Sequence, residues 1–156
     1  MNQPLRILLV EDNPMDIELT LDAFKEANLP NEIRVIETGD VAIQYLQGKG
    51  EYADRRKHPL PGLILLDLKL PGMGGLEVLK RLKQTPKICR IPVIILSSSA
   101  DEGDRAMSYD NGANSYLVKP VSFDGFLQVV KNISDYWLTL NMRPPIDWVP
   151  TRKDFR

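Results

Sequence analysis

Three stretches of this chain are apolar at every position and then stop on a polar side chain. They are Ile7-Leu8-Leu9-Val10 before Glu11-Asp12, Leu63-Ile64-Leu65-Leu66 before Asp67, and Val93-Ile94-Ile95-Leu96 before Ser97. A strand without polar alternation has to be covered on both faces, which is the condition of strands in a parallel sheet lying between two layers of helices. The polar residue that ends each run then falls at the carboxyl edge of the sheet, where loops and helix starts converge and where open α/β sheets bind their ligands.

The segments between these runs carry helical signals. Asn13-Pro14 is an N-cap followed by a proline suited to the first helical position, and it opens a helix to about Asn28 with Ile17, Leu21, Phe24 and Ala27 on its inner side. Ile33 and Val35 alternate with charged residues, as expected of a strand at a sheet edge. Thr38-Gly39-Asp40 starts a short helix with Ala42, Tyr45 and Leu46 inward and Gly48 as its stop. Leu76, Leu79 and Leu82 mark a helix that ends before Pro86, and a further one spans about Asp101 to Asn111. With only Ala106, Met107 and Tyr109 to pack, that helix is the weakest cover on the sheet and the one expected to move. Tyr116-Leu117-Val118 is a short last strand running into Lys119-Pro120. The final helix, capped by Ser122 or Asp124, has one stripe of Phe123, Phe126, Leu127, Val130, Ile133 and Trp137. Val129, Tyr136 and Leu140 fall off that stripe, so a second surface is needed to bury them, and a partner subunit is one candidate. Five strands alternating with five helices predict an α/β sandwich on a parallel sheet.

A chain of 156 residues accommodates one domain, 1–140, and a proline-bearing extension, 141–156, with no separate output domain. The polar, proline-punctuated stretch from Lys49 to Gly62 is long for a connection within a domain, and such loops carry function or disorder. A net charge of -1 gives no field that would draw the protein to nucleic acid or an acidic membrane. Lys80, Arg81, Lys83, Lys87 and Arg90 form a basic cluster without aromatic residues to stack on bases, which fits a solvated helix face. The single cysteine, Cys89, excludes an internal disulfide framework and suits a reducing compartment. No run has the character of a signal peptide or a membrane span, so the expected location is the cytoplasm.

The ends of the strands present Glu11 and Asp12, Asp67, Ser97 and Lys119. Any one has an ordinary explanation as a helix-start acid, a turn residue, a strand-end cap or a surface lysine. Together, on one edge, they form a constellation. Clustered carboxylates repel and raise each other's pKa values unless something offsets them. Mg²⁺ is the natural offset, because it takes oxygen ligands and retains several waters. The absence of His and Cys here argues against zinc. Lys119 can hold an anion beside the metal, and Ser97 can donate a hydrogen bond to it. This combination suits phosphoryl transfer, with Asp67 as the nucleophile that becomes an acyl phosphate. An aspartate-nucleophile phosphatase is a rival, but such enzymes carry a second acid two residues beyond the nucleophile, where this chain has Lys69. A scaffold that binds partners without being phosphorylated would have no use for the complete acid set.

The motifs Val10-Glu11-Asp12-Asn13, Leu66-Asp67-Leu68-Lys69-Leu70-Pro71-Gly72-Met73, Pro92-Val93-Ile94-Ile95-Leu96-Ser97 and Tyr116-Leu117-Val118-Lys119-Pro120 resemble the receiver domains of two-component response regulators. The resemblance covers about Leu5 to Leu140. It implies a flavodoxin-like, doubly wound five-stranded parallel sheet in the order 2-1-3-4-5 with five helices. It further implies that Asp67 accepts a phosphoryl group from a histidine kinase, and that Asp12, Asp67 and the Lys69 backbone carbonyl hold Mg²⁺ with Glu11 assisting through water. Ser97 and Tyr116 take the places of the switch residues, and Lys119-Pro120 that of a cis peptide. No reaction beyond the protein's own phosphorylation and dephosphorylation is implied. Gly74 departs from the family, which usually has Asp there, and should loosen the start of the following helix. The long loop, the Asp135-Tyr136-Trp137-Leu138 helix end and the tail are similar to single-domain regulators paired with phytochrome-type histidine kinases, which form homodimers through the last helix and neighbouring strands.

Overall fold

The three uninterrupted apolar runs are the three inner strands of one sheet in the computed structural model, which describes residues 3–155. β1 (Ile7–Val10), β3 (Leu63–Leu66) and β4 (Val93–Ser97) are buried at every residue. β2 (Ile33–Ile36) and β5 (Ser115–Val118) are the part-exposed edges. All pairs are parallel and the order is β2-β1-β3-β4-β5. Successive side chains of a strand point to opposite faces, which explains the unbroken apolar runs. Leu8, Val10, Ile64, Leu66, Val93 and Ile95 face one core, while Ile7, Leu9, Leu63, Leu65, Ile94 and Leu96 face the other.

The first core is closed by α2 (Gly39–Gln47) and α3 (Gly75–Gln84), through residues such as Ile43, Leu46, Val78, Leu79 and Leu82. The second is closed by α1 (Pro14–Glu26) and α5 (Phe123–Asp135), through Ala23, Phe24, Phe126, Val130 and Ile133. Each large aliphatic side chain buried this way contributes about 1.5–3 kcal/mol, so either face alone would leave half of the driving force unused.

Several local expectations shift. α1 ends at Glu26, and Asn28 takes a left-handed conformation with φ 55°. Thr20 is buried where Leu21 was expected, because its hydroxyl donates to the Asp16 carbonyl at 2.7 Å and so enters the core without an unpaired polar group; Leu21 is 36% exposed. α4 (Glu102–Asp110) buries only Ser108, whose hydroxyl donates to the Asp104 carbonyl at 2.7 Å. Met107 and Tyr109 stay in solvent, so α4 is even less anchored than its sequence predicts. Gly74 stands at the N-cap of α3 and provides no side-chain cap, as its departure from the family pattern implies. No cis peptide bond occurs among the described residues, so Lys119-Pro120 is trans, the lower-energy isomer of an X–Pro bond, and not the cis form implied by the resemblance.

The long loop is pinned. The Arg55 guanidinium donates to the carbonyls of Tyr45 and Leu46 at 2.8 Å each and to that of His58 at 3.2 Å, capping the end of α2. The Tyr45 hydroxyl donates to the Pro59 carbonyl at 2.6 Å, and Tyr45, Tyr52 and His58 pack edge to face. After α5 the chain makes a π-turn at Tyr136–Leu140. The extension then folds back along the domain, where Arg90 donates to the carbonyls of Pro145 and Trp148 at 2.6 and 2.8 Å and lies over the Trp148 ring. Arg143 donates to the Gln3 carbonyl at 3.4 Å, and Ile146 packs against the first core.

Candidate functional site

Strand register brings the acids together. Val10 pairs with Leu66, so the next residues, Glu11 and Asp67, stand side by side at the carboxyl edge. The Asp67 N–H donates to the Val10 carbonyl at 3.0 Å, extending the ladder by one residue. The connections leaving β1 and β3 run in opposite directions from this point, which makes it the switch point of the sheet. Asn13 caps α1 by accepting from the Met15 and Asp16 N–H groups at 2.9 and 3.2 Å, with Pro14 beginning the helix. The chain turns sharply there, and Glu11 Oε2 accepts from the N–H groups of Asp12 and Asn13 at 3.1 and 3.2 Å. Beyond Asp67 the Lys69 N–H donates to Asp67 Oδ1 at 3.4 Å. A Cβ at Gly75 would overlap the Asp67 carbonyl oxygen, so glycine lets α3 begin directly against the loop.

Carboxylate oxygens of Glu11, Asp12 and Asp67 lie within 4.8 Å of one another. Octahedral ligands at Mg²⁺-like bond lengths are about 2.9 Å apart when adjacent and about 4.2 Å when opposite. The all-oxygen donor set fits a hard divalent cation, and an outer limit of 4.8 Å, wider than that span, suits a site in which one of the three acids reaches the ion through a water. Glu11 and Asp67 are only 2% and 6% exposed, and Asp12 is half-buried and open to water.

Lys119 enters from the end of β5, held by its N–H donating to the Ser97 carbonyl at 2.7 Å. Its ammonium lies 2.5 Å from Glu11 Oε1, 2.9 Å from Asp16 Oδ2 and 3.3 Å from Asp67 Oδ2. Burial pushes the Glu11 carboxyl up to about 7, and the charge of Asp67 adds to this although Lys119 pulls the other way. Burial alone would lower the Lys119 amine, but its hydrogen bonds to Glu11 and Asp16 and the charges of Glu11 and Asp67 raise it.

Of the residues picked out by sequence, Glu11, Asp12, Asp67 and Lys119 meet in one pocket. Ser97 is fully buried at the adjacent strand end, where its Oγ accepts from the Ser99 N–H at 3.2 Å. The serine triplet divides by environment, with Ser98 exposed and Ser99 donating to Asp104 Oδ2 at 2.7 Å. The Tyr116 hydroxyl donates to the Ser99 carbonyl at 2.8 Å, tying β5 to the loop that leads into α4. Sequence reasoning missed Asp16. Its signal was its place three residues after the Asn13 cap, in the first turn of a helix that starts at the acidic edge.

A flavodoxin-like sheet with an acidic pocket and one buried lysine at its switch point is the architecture of a signalling receiver module. The chain belongs to the response regulator receiver domain family, to which residues 7–131 match. It is 39% identical over 137 residues to Response regulator Rcp1 of Synechocystis sp., covering 88% of this chain and 91% of that protein. Among solved structures it is similar to the phosphorylated cyanobacterial phytochrome response regulator RcpA, at 40% identity and a TM-score of 0.85, covering 91% and 99% of the two chains. The Mn²⁺-bound form of Rcp1 superposes with a TM-score of 0.81 at 38% identity, covering 90% of this chain and 99% of that one.

Proposed function

We propose that Asp67 receives a phosphoryl group from the phosphohistidine of a sensor histidine kinase of phytochrome type. The observation that carries this is the Asp67 carboxylate held between two further acids and the Lys119 ammonium at 3.3 Å. An Asp67 oxygen forms a bond to phosphorus while the P–N bond of the donor breaks, its electron pair remaining on the imidazole nitrogen. Lys119 stays beside the transferred oxygens and offsets their charge. Asp12, Asp67 and the Lys69 carbonyl would hold Mg²⁺, with Glu11 assisting through water. When bound, this ion adds to the positive charge of Lys119, which alone does not balance three carboxylates. The Mn²⁺-bound Rcp1 relative supports a divalent ion, and the phytochrome regulator RcpA supports the kind of kinase.

Ser97 is the switch hydroxyl and Tyr116 the switch aromatic. For Ser97 to reach the phosphoryl it must give up the Ser99 N–H, and for Tyr116 to move inward it must leave the Ser99 carbonyl. Both changes act on the loop before the lightly packed α4. Residues 1–140 form the receiver and 141–156 an extension of it. Val118, Tyr136 and Leu140, exposed at 48%, 49% and 73%, support a homodimer through the last helix and neighbouring strands. Among the described residues no helix is long and apolar enough to cross a membrane, and the proposed setting is cytoplasmic, without nucleic acid. The reaction is confined to the protein's own phosphorylation and dephosphorylation.

The test is incubation with acetyl phosphate and Mg²⁺ followed by intact-mass measurement. Wild type is expected to gain one phosphoryl group and Asp67→Asn none. An equal gain in both would remove Asp67 from the role.

A further inference from the structure

The Lys119 ammonium lies against the same oxygens that a metal ion would use. On Glu11 the N–H groups of Asp12 and Asn13 take Oε2, and on Asp67 the Lys69 N–H takes Oδ1. The remaining oxygens, Glu11 Oε1 and Asp67 Oδ2, face the ammonium. An ion settling among Glu11, Asp12 and Asp67 therefore requires Lys119 to draw back, both to release these oxygens and because two positive charges repel. The Lys119 side chain is only 7% exposed, so it has no path into solvent, and a buried cation without a counter-charge is strongly disfavoured.

Asp16 supplies that counter-charge. Its Oδ2 accepts from the ammonium at 2.9 Å, yet it stands outside the three acids whose oxygens cluster within 4.8 Å. It comes from the first turn of α1, and its side chain, 24% exposed, is more open to water than those of Glu11 and Asp67. Its backbone is fixed independently of its carboxylate. The Asp16 N–H is held by the Asn13 cap, and its carbonyl accepts from the Thr20 hydroxyl. The lysine stem is flexible and its three donors rotate, so the ammonium can shift toward Asp16 while its own N–H stays on the Ser97 carbonyl.

We infer that Asp16 is a positioning residue that takes up the Lys119 ammonium when a divalent cation enters the acid cluster, and so strengthens metal binding in the unphosphorylated protein. This rests on the reading of Glu11, Asp12 and Asp67 as a metal site, and it holds whether or not Asp67 is phosphorylated. By drawing the ammonium off Glu11 Oε1 and Asp67 Oδ2, Asp16 removes a competitor for those oxygens. Its own negative charge near the cluster acts in the same direction, so the sign of the effect is fixed.

The experiment titrates the full, unphosphorylated chain with Mn²⁺, following the free ion by electron paramagnetic resonance, and then displaces it with Mg²⁺. Asp16→Asn keeps the shape and an oxygen for the ammonium but loses the charge, and it is expected to weaken binding of both ions about three- to tenfold, the size of one partly screened charge pair. Asp16→Glu should restore the wild-type affinity. Asp22→Asn, an exposed acid further along α1, should leave it unchanged. In a Lys119→Met background, with no ammonium to hold, the loss caused by Asp16→Asn should fall below twofold. Thermal unfolding of each variant separates affinity from fold, and Lys119→Gln replaces Lys119→Met if the latter does not fold. Unchanged or tighter binding by Asp16→Asn overturns the inference, as does an equal loss by Asp22→Asn. A loss as large without Lys119 as with it also overturns it, because Asp16 would then act on the ion directly and not through the lysine. If wild type binds neither ion, the metal site itself falls and the inference with it, whatever acetyl phosphate does at Asp67.

Discussion

Glu11 links the pocket to global stability in a way that can be measured without any kinase. Its carboxyl titrates at about 7 in the folded protein and at the ordinary 4.5 once unfolded. Between these values the native state retains a proton that the unfolded chain has released, so stability falls as pH rises. The contribution is complete below pH 4.5 and lost above about 7. At 1.36 kcal/mol per pH unit, the separation amounts to about 3 kcal/mol. Water at the open Asp12 side screens part of it, leaving about 1.5–3 kcal/mol, or about 3–12 °C in Tm for a chain of this size. The perturbation is Glu11→Gln, which keeps the shape and an oxygen to accept from the Asp12 and Asn13 N–H groups while removing the charge. Urea unfolding in a metal chelator from pH 5 to 8 should show the variant gaining on wild type by that amount as pH rises. Other carboxylates titrate in both proteins and cancel in the difference. Added Mg²⁺ should flatten the wild-type slope, because an ion held at the cluster favours the deprotonated acid. A difference curve that is flat in chelator, or that slopes the other way, would refute the claim that burial beside Asp67 is what raises Glu11.

Two further outcomes follow from contacts elsewhere. Ser97→Ala should still take up the phosphoryl group, yet the phosphorylated and unphosphorylated forms should no longer differ in affinity for a partner, as measured by titration calorimetry. Arg55→Ala removes a charged donor from three carbonyls and should cost about 2 kcal/mol, seen as a lower Tm together with faster proteolysis between Lys49 and Gly62.

The buried strands were legible because each of their side chains must satisfy one of two cores, and that leaves no polar position inside the run. The acids and the lysine were legible because they end such runs. The strand order came from the family resemblance, since runs of equal character do not reveal which lie side by side. Asp16 was hidden because a first-turn helical acid normally needs no partner beyond the helix itself, and only the approach of β5 to α1 gives it one. Thr20 and Ser108 were passed over for the opposite reason. Polarity suggested solvent, but each hydroxyl bonds a carbonyl four residues back in its own helix and enters the core. The docking of the extension depends on Arg90, a residue whose local cluster gives it only the look of a solvated face.

That docking has a practical consequence. Arg143 is fastened beside Gln3, ahead of β1, and Trp148 beside Arg90, ahead of β4, so the extension is anchored where the strands begin. The acidic pocket is at the other pole, where they finish. A fluorophore or affinity handle attached beyond Val149 would hang clear of the acidic edge, and its release into solvent would report unfastening of the strap independently of anything happening at Asp67.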